Sequence, residues 1–195
     1  MINIDPDYLI KDSSLFGFLE NLKGSPIDSI IDKTGDHWKN DRVSIVNTEG
    51  NLQYILSNER LNDLKLKGNI IFPSDVKAWK INFEKYHDKI KTIFNRHFSE
   101  YNISVDSTLY YESSDFTGWR TNSEHTGKLV YLTWNMERNK SYFMWTEGNN
   151  LLNYSEPSGW SFKVIDVLNE DPHWYSVYSG TDRIEIGLKL KPSRR

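Results

Sequence analysis

The chain is expected to fold as a mainly β protein, an α+β jelly roll packed against a long helix on its amino-terminal side. Three observations predict this. Short alternating apolar segments bounded by Gly, Asn, Ser or Pro fill the stretch from Ser107 to Lys191. Aromatic residues make up 14% of the chain against a hydrophobic fraction of only 37%, so a few large rings must fill the core. One stripe of helical period precedes the strands. Aromatic side chains favour strands and bury large areas each, and short strands at turn spacings of about 8–12 residues are the pattern of sandwiches and barrels.

The 195 residues suit one compact domain. Residues 1–104 read as a helical and hairpin support region, and residues 105–195 as the β core. Twenty-four basic residues against 27 acidic ones leave a formal charge of -3. No global field would gather nucleic acid or an anionic membrane, so partners are expected to be proteins recognised locally. No window approaches the ~18 apolar residues of a membrane span. The opening Met1-Ile2-Asn3-Ile4-Asp5-Pro6-Asp7 lacks the basic start and apolar run of a secretory signal, so a soluble chain without a signal peptide is expected. Cysteine is absent, which excludes disulfides, thiolate ligands and a cysteine nucleophile.

Up to about Asp41, Gly17, Gly24, Pro26 and Gly35 punctuate the chain and predict short helical turns and irregular segments. Val43–Val46 and Leu52–Leu56, joined through Glu49-Gly50-Asn51, predict a hairpin. Trp79, Phe83, Tyr86, Ile90, Ile93, Phe94 and Phe98 recur at steps of mostly three or four and predict one helix from about Asp75 to Tyr101, started by Ser74. Lys77, Lys80, Lys85, Lys89 and Lys91 fall largely off that stripe, interleaved with Glu84 and Asp88, as a solvated face. Strands then follow at Ser107–Glu112, Lys128–Trp134, Tyr142–Thr146, Leu151–Tyr154, Ser161–Val167, Trp174–Tyr178 and Arg183–Lys191. The basic end, Lys189 to Arg195, reads as a frayed terminus.

Two stretches could carry chemistry: Gly118-Trp119-Arg120-Thr121-Asn122-Ser123, and Pro172-His173-Trp174-Tyr175 continuing to Arg183-Ile184-Glu185-Ile186-Gly187. Together they resemble the signature of the iron- and 2-oxoglutarate-dependent oxygenases, particularly the small prolyl-hydroxylase-like proteins of tailed phages of marine cyanobacteria and their hosts. The resemblance covers about residues 105–191 and implies a double-stranded β-helix. It also implies that Arg120 stands at the first metal-binding histidine position, Asn122 at the carboxylate position and His173 at the distal histidine position. Arg183, about ten residues further on, holds the place of the basic residue that binds the oxoglutarate carboxylate.

Such a site needs two imidazoles and a carboxylate on one face of the metal. Arg120 instead brings a guanidinium that stays protonated, and at ~4 Å from a dication the repulsion amounts to several kcal/mol even at an effective dielectric of 20. Asn122 offers a neutral carbonyl oxygen, and Tyr175 could ligate only as a phenolate. A displaced site built from His173, His125 and Glu124 is the alternative, at the cost of a register slip that turns other side chains out of the core. Glu185, where a serine or threonine is usual, would neutralise Arg183 or repel a bound carboxylate. Buried ion pairs of Arg183 with Glu185, or of Arg120 with an acidic neighbour, are one expectation. A small anion pocket between Arg120 and Arg183 is the other.

No phosphate-cradling Gly-rich loop, Gly-x-Ser-x-Gly elbow or His-Glu-x-x-His pair competes. The sequence therefore points to a non-catalytic jelly roll with a structural or interaction role and no cofactor, in a phage particle or host cytoplasm as the resemblance implies. Trp134, Trp145 and Trp160 are the contact candidates if exposed. The alternative is a working hydroxylase that uses Fe(II) and 2-oxoglutarate at the displaced site. A cavity retained to bind a sugar or peptide is a third reading.

Overall fold

The computed structural model describes residues 2–4, 13–24, 49–57, 76–121, 127–148, 150–167 and 173–193. Helices α1 (Ser13–Gly24) and α2 (Glu49–Ser57) flank the first part of the chain, together with the short strand β1 (Ile2–Ile4). Two two-residue strands follow, β2 (Val76–Lys77) and β3 (Trp79–Lys80), then a 3-10 turn at Glu84–Tyr86 and helix α3 (His87–Asn95). Eight strands complete the fold: β4 (Tyr101–Tyr111), β5 (Asp115–Arg120), β6 (Gly127–Asn135), β7 (Ser141–Glu147), β8 (Asn150–Ser155), β9 (Gly159–Val167), β10 (Tyr175–Ser179) and β11 (Arg183–Pro192).

These strands form two antiparallel sheets. One has the order β1-β9-β6-β11-β4-β3, the other β2-β5-β10-β7-β8. From β4 onward the chain crosses repeatedly from sheet to sheet, with β4, β6, β9 and β11 in the first and β5, β7, β8 and β10 in the second. That winding is the jelly roll, or double-stranded β-helix.

Strand alternation sorts the core into layers. Even-numbered positions of β6, β9 and β11, among them Leu132, Phe162 and Ile186, face α1 and α3, where Leu15, Leu19, Ile90 and Phe94 meet them. Odd-numbered positions such as Leu129, Tyr131 and Ile165 face the second sheet and meet Phe143, Tyr175 and Val177. On the far side of that second sheet, Leu52 of α2 packs on Trp119 and Trp174.

Several expectations are corrected. The apolar stripe from Trp79 to Phe98 is not one helix: Trp79 lies in a strand, and the α-helix is limited to His87–Asn95, where Ile90, Ile93 and Phe94 are buried. The same three- and four-residue steps are met by a strand, a turn and a short helix that all cover one sheet face. Leu52–Leu56 is part of α2 and not of a hairpin; Leu52 and Leu56 sit four apart and share the contact with Trp119 and Trp174. Val43–Val46 lies outside the described residues. Residues 13–24 make a helix of three turns in place of the expected short turns. The carboxyl end is strand as far as Pro192, with Leu190 buried and Lys189 paired to Asp106 at 2.6 Å, so fraying does not begin at Lys189. Trp134, Trp145 and Trp160 are buried and offer no contact surface.

Candidate functional site

The inward positions of the first sheet change character along the roll. Leu129, Tyr131, Ile165 and Val167 make one end apolar, while Thr133, Asn135, Ser161, Lys163, Arg183 and Glu185 make the other polar, all of them buried. Register produces this clustering: Asn135 pairs with Arg183, Thr133 with both Glu185 and Ser161, and Tyr131 with Lys163.

Glu156, just past β8, closes the cluster. Its carboxylate accepts from Arg183 Nε at 2.8 Å and Arg183 Nη2 at 3.3 Å, from Asn135 Nδ2 at 3.0 Å, and from the Lys163 ammonium. Lys163 also donates to Thr133 Oγ1 at 2.8 Å, which pairs with Ser161 Oγ at 2.7 Å. Burial alone would raise the Glu156 carboxyl, but Arg183 and Lys163 outweigh it and hold the group well below the usual carboxylate range. Lys163 is pushed down by burial and by the neighbouring Arg183, against the pull of Glu156.

Arg183 Nη2 also donates to Glu185 Oε2 at 2.8 Å, and Arg120 Nη2 stands 3.7 Å from Glu185 Oε1. The carboxylate of Glu185 therefore lies between the two guanidinium groups. Each guanidinium also lies over a ring, Arg120 over Tyr175 and Arg183 over Tyr111, both at 4.9 Å. Tyr175 and Tyr131 share a hydroxyl hydrogen bond at 3.0 Å, and Tyr111 pairs with Thr117 at 2.9 Å. Burial pushes the Tyr131 and Tyr111 phenols up, so both remain neutral. Burial would lower Arg120 and Arg183, but the Glu185 carboxylate beside both, joined by Glu156 beside the second, reverses that and keeps both charged.

Thus Arg120 and Arg183, predicted separately from two stretches, are brought together on Glu185. His173 is not in contact with them through any hydrogen bond among the described residues. Its Nδ1 donates to the Thr146 carbonyl at 2.8 Å, which leaves Nε2 bare in the neutral tautomer. Asn122, Glu124 and His125 lie outside the described residues. Among those described, no three His, Asp or Glu side chains are grouped so as to hold a metal ion. A cleft of about 750 Å³ lies elsewhere, between β3, the 3-10 turn and β4, near Trp79, His87 and Asp106.

Sequence reasoning missed Glu156 and Lys163. Lys163 did leave a signal, since it lies in phase with Ser161 and Ile165 on the inward side of a predicted strand. Glu156 left none: it follows the strand, and only the wrap of the roll carries it inward.

The donor set tests the group that the oxygenase resemblance implies. A ferrous ion needs neutral or anionic donors, and at Arg120 it would meet a fixed cation that pairs with Glu185 and lies over the Tyr175 ring. The described residues do not fit a metal at that position. Glu156 and Glu185 already bond Arg183 Nε and Nη2, so an oxoglutarate carboxylate would find only Nη1 of that guanidinium without a partner among the described residues and could not take the two-nitrogen grip without displacing a glutamate.

No protein-family model matches the chain, and no curated protein matches it. Among solved structures the chain is similar to a prolyl-4-hydroxylase of Pseudomonas putida, with a TM-score of 0.48 and 7% sequence identity over 98% of this chain and 92% of that one. Among the described residues no helix is long and apolar enough to cross a membrane.

Proposed function

We propose that this protein is a non-catalytic relative of the 2-oxoglutarate oxygenases, a jelly roll with a structural or interaction role. One observation carries the reading. The interior where metal and cosubstrate chemistry would take place is filled by Arg120, Glu185, Arg183, Glu156 and Lys163, bonded to one another. Protein partners follow from the role, and the resemblance to proteins of marine cyanophages makes a virion component, or a protein of the infected host's cytoplasm, the setting we propose.

The test is a metal-replete preparation assayed for bound iron, for oxoglutarate-dependent succinate release, and for thermal shifts with oxoglutarate, phosphate and sulfate. Background iron, no succinate and no shift are expected. Stoichiometric iron with succinate release would overturn the reading. A shift with the simple anions would instead assign Arg120 and Arg183 to an anion pocket.

One observation favours the alternative, a hydroxylase with a displaced Fe(II) site. The hydrogen bond from His173 Nδ1 to a backbone carbonyl is the arrangement that orients a ligating imidazole and leaves Nε2 available. Its partners would be His125 and Glu124. Loss of bound iron on His125→Ala would support it, and unchanged background iron would remove it.

A further inference from the structure

The second sheet ends in β8, and among the described residues no strand lies beyond it. Edge strands present unpaired N–H and C=O groups that template pairing with another chain, and proteins blunt them with short strands, lysine, proline or bulges. The other sheet ends follow that rule. β1 has three residues, β2 and β3 have two each, and the last two carry Lys77 and Lys80. β8 does not: its six residues, Asn150-Leu151-Leu152-Asn153-Tyr154-Ser155, include no charge, proline or glycine. Its register with β7 runs without a bulge.

The phase of the ladder gives the direction of its free groups. Glu156 N–H bonds the Ser141 carbonyl at 2.9 Å, one step beyond the Ser155 and Tyr142 pair. Bonded pairs alternate in an antiparallel ladder, so Tyr154, Leu152 and Asn150 bond β7, while Leu151, Asn153 and Ser155 turn their N–H and C=O outward. Leu152 and Tyr154 lean on the core between the sheets, Leu151 packs on the opposite face, and Asn153 and Ser155 are exposed.

We infer that β8 is a self-association edge, where a second copy of this chain pairs antiparallel across a twofold axis at Asn153 and joins two five-stranded sheets into one. A twofold axis normal to the sheet keeps inner side chains inner only if it passes through a residue. At Asn153 it sets Leu152 against Tyr154 of the other copy on the inner face, and Leu151 against Ser155 on the outer. It exchanges about six backbone hydrogen bonds and opposes no like charges. The strand is its own complement in this register, which favours a second copy over an unrelated peptide. A contact confined to one strand is small, so a weak, concentration-dependent dimer is expected.

Sedimentation equilibrium of the full chain from low to high micromolar concentration should show the mass rising from monomer towards dimer. Asn153→Lys places two ammonium groups at the axis and should hold the chain monomeric with an unchanged circular dichroism spectrum. Because the chain has no cysteine, Asn153→Cys offers a single thiol. Bonded antiparallel partners lie about 5.5 Å apart at Cα, within disulfide reach, so mild oxidation should cross-link it. Met136→Cys, at a residue 61% exposed between β6 and β7, should not cross-link at a comparable rate. A monomer throughout the concentration range, a dimer indifferent to Asn153→Lys, or cross-linking of Asn153→Cys no faster than that of the Met136→Cys control would overturn the proposal.

Discussion

Glu156 is the residue on which the buried charges converge, since Arg183, Lys163 and Asn135 all donate to its carboxylate. Removing one partner of a buried ion pair leaves the other charge uncompensated and costs roughly 3–5 kcal/mol. Glu156→Gln should therefore lower the free energy of urea unfolding by about that much. The same carboxyl sets an acid limb. Its folded pKa is depressed below the unfolded value of about 4.3, so the stability it contributes is present above that pH and is lost as pH falls towards the folded value. Unfolding curves below about pH 4.3 should show this loss in the parent chain and a weaker one in Glu156→Gln. A second prediction belongs to Arg120. Asn122→Asp alone should leave ferrous ion at background in elemental analysis, because the fixed charge of Arg120, clasped by Glu185 and Tyr175, remains.

Among elements, α3 shows how a short helix can be held by one sheet face. Phe94 stacks with Phe162 of β9 at 6.3 Å and with Phe98 at 6.2 Å, and it is fully buried. Phe94→Ala should cost about 3–5 kcal/mol by calorimetry, the range for deleting a buried aromatic ring. β6 begins at Gly127 with φ of +135°, and a Cβ there would lie 2.2 Å from the Leu190 carbonyl oxygen of β11. Gly127→Ala should destabilise by at least about 1–3 kcal/mol, since neither the backbone angle nor the neighbouring backbone can yield cheaply; thermal unfolding would show it. Elements were legible to the degree that their pattern was local. The seven predicted strands from Ser107 to Lys191 match observed ones, because turn residues bound them and their apolar positions recur in phase. β5 was not foreseen: Asp115–Arg120 is buried on both faces and sets Asp115, Thr117 and Arg120 among its apolar residues, so no apolar side stands against a polar one to betray its period. β2 and β3 are two residues each and hide inside a helical spacing.

For the whole molecule, the winding of β4 to β11 between two sheets brings residues far apart in the chain into one interior. Arg120, Glu156, Lys163 and Arg183 come from different strands or their ends and meet only because the roll closes. The sequence by itself determined the mainly β class, the positions of most core strands and the presence of a guanidinium at Arg120, because strand period, turn chemistry and side-chain charge are local properties. Tertiary structure alone decided that Glu185 lies between Arg120 and Arg183, that Glu156 and Lys163 complete the cluster, and that Trp134, Trp145 and Trp160 are covered. Those outcomes depend on cross-strand register and on which face each sheet buries, and both are settled by contacts between residues distant in the chain.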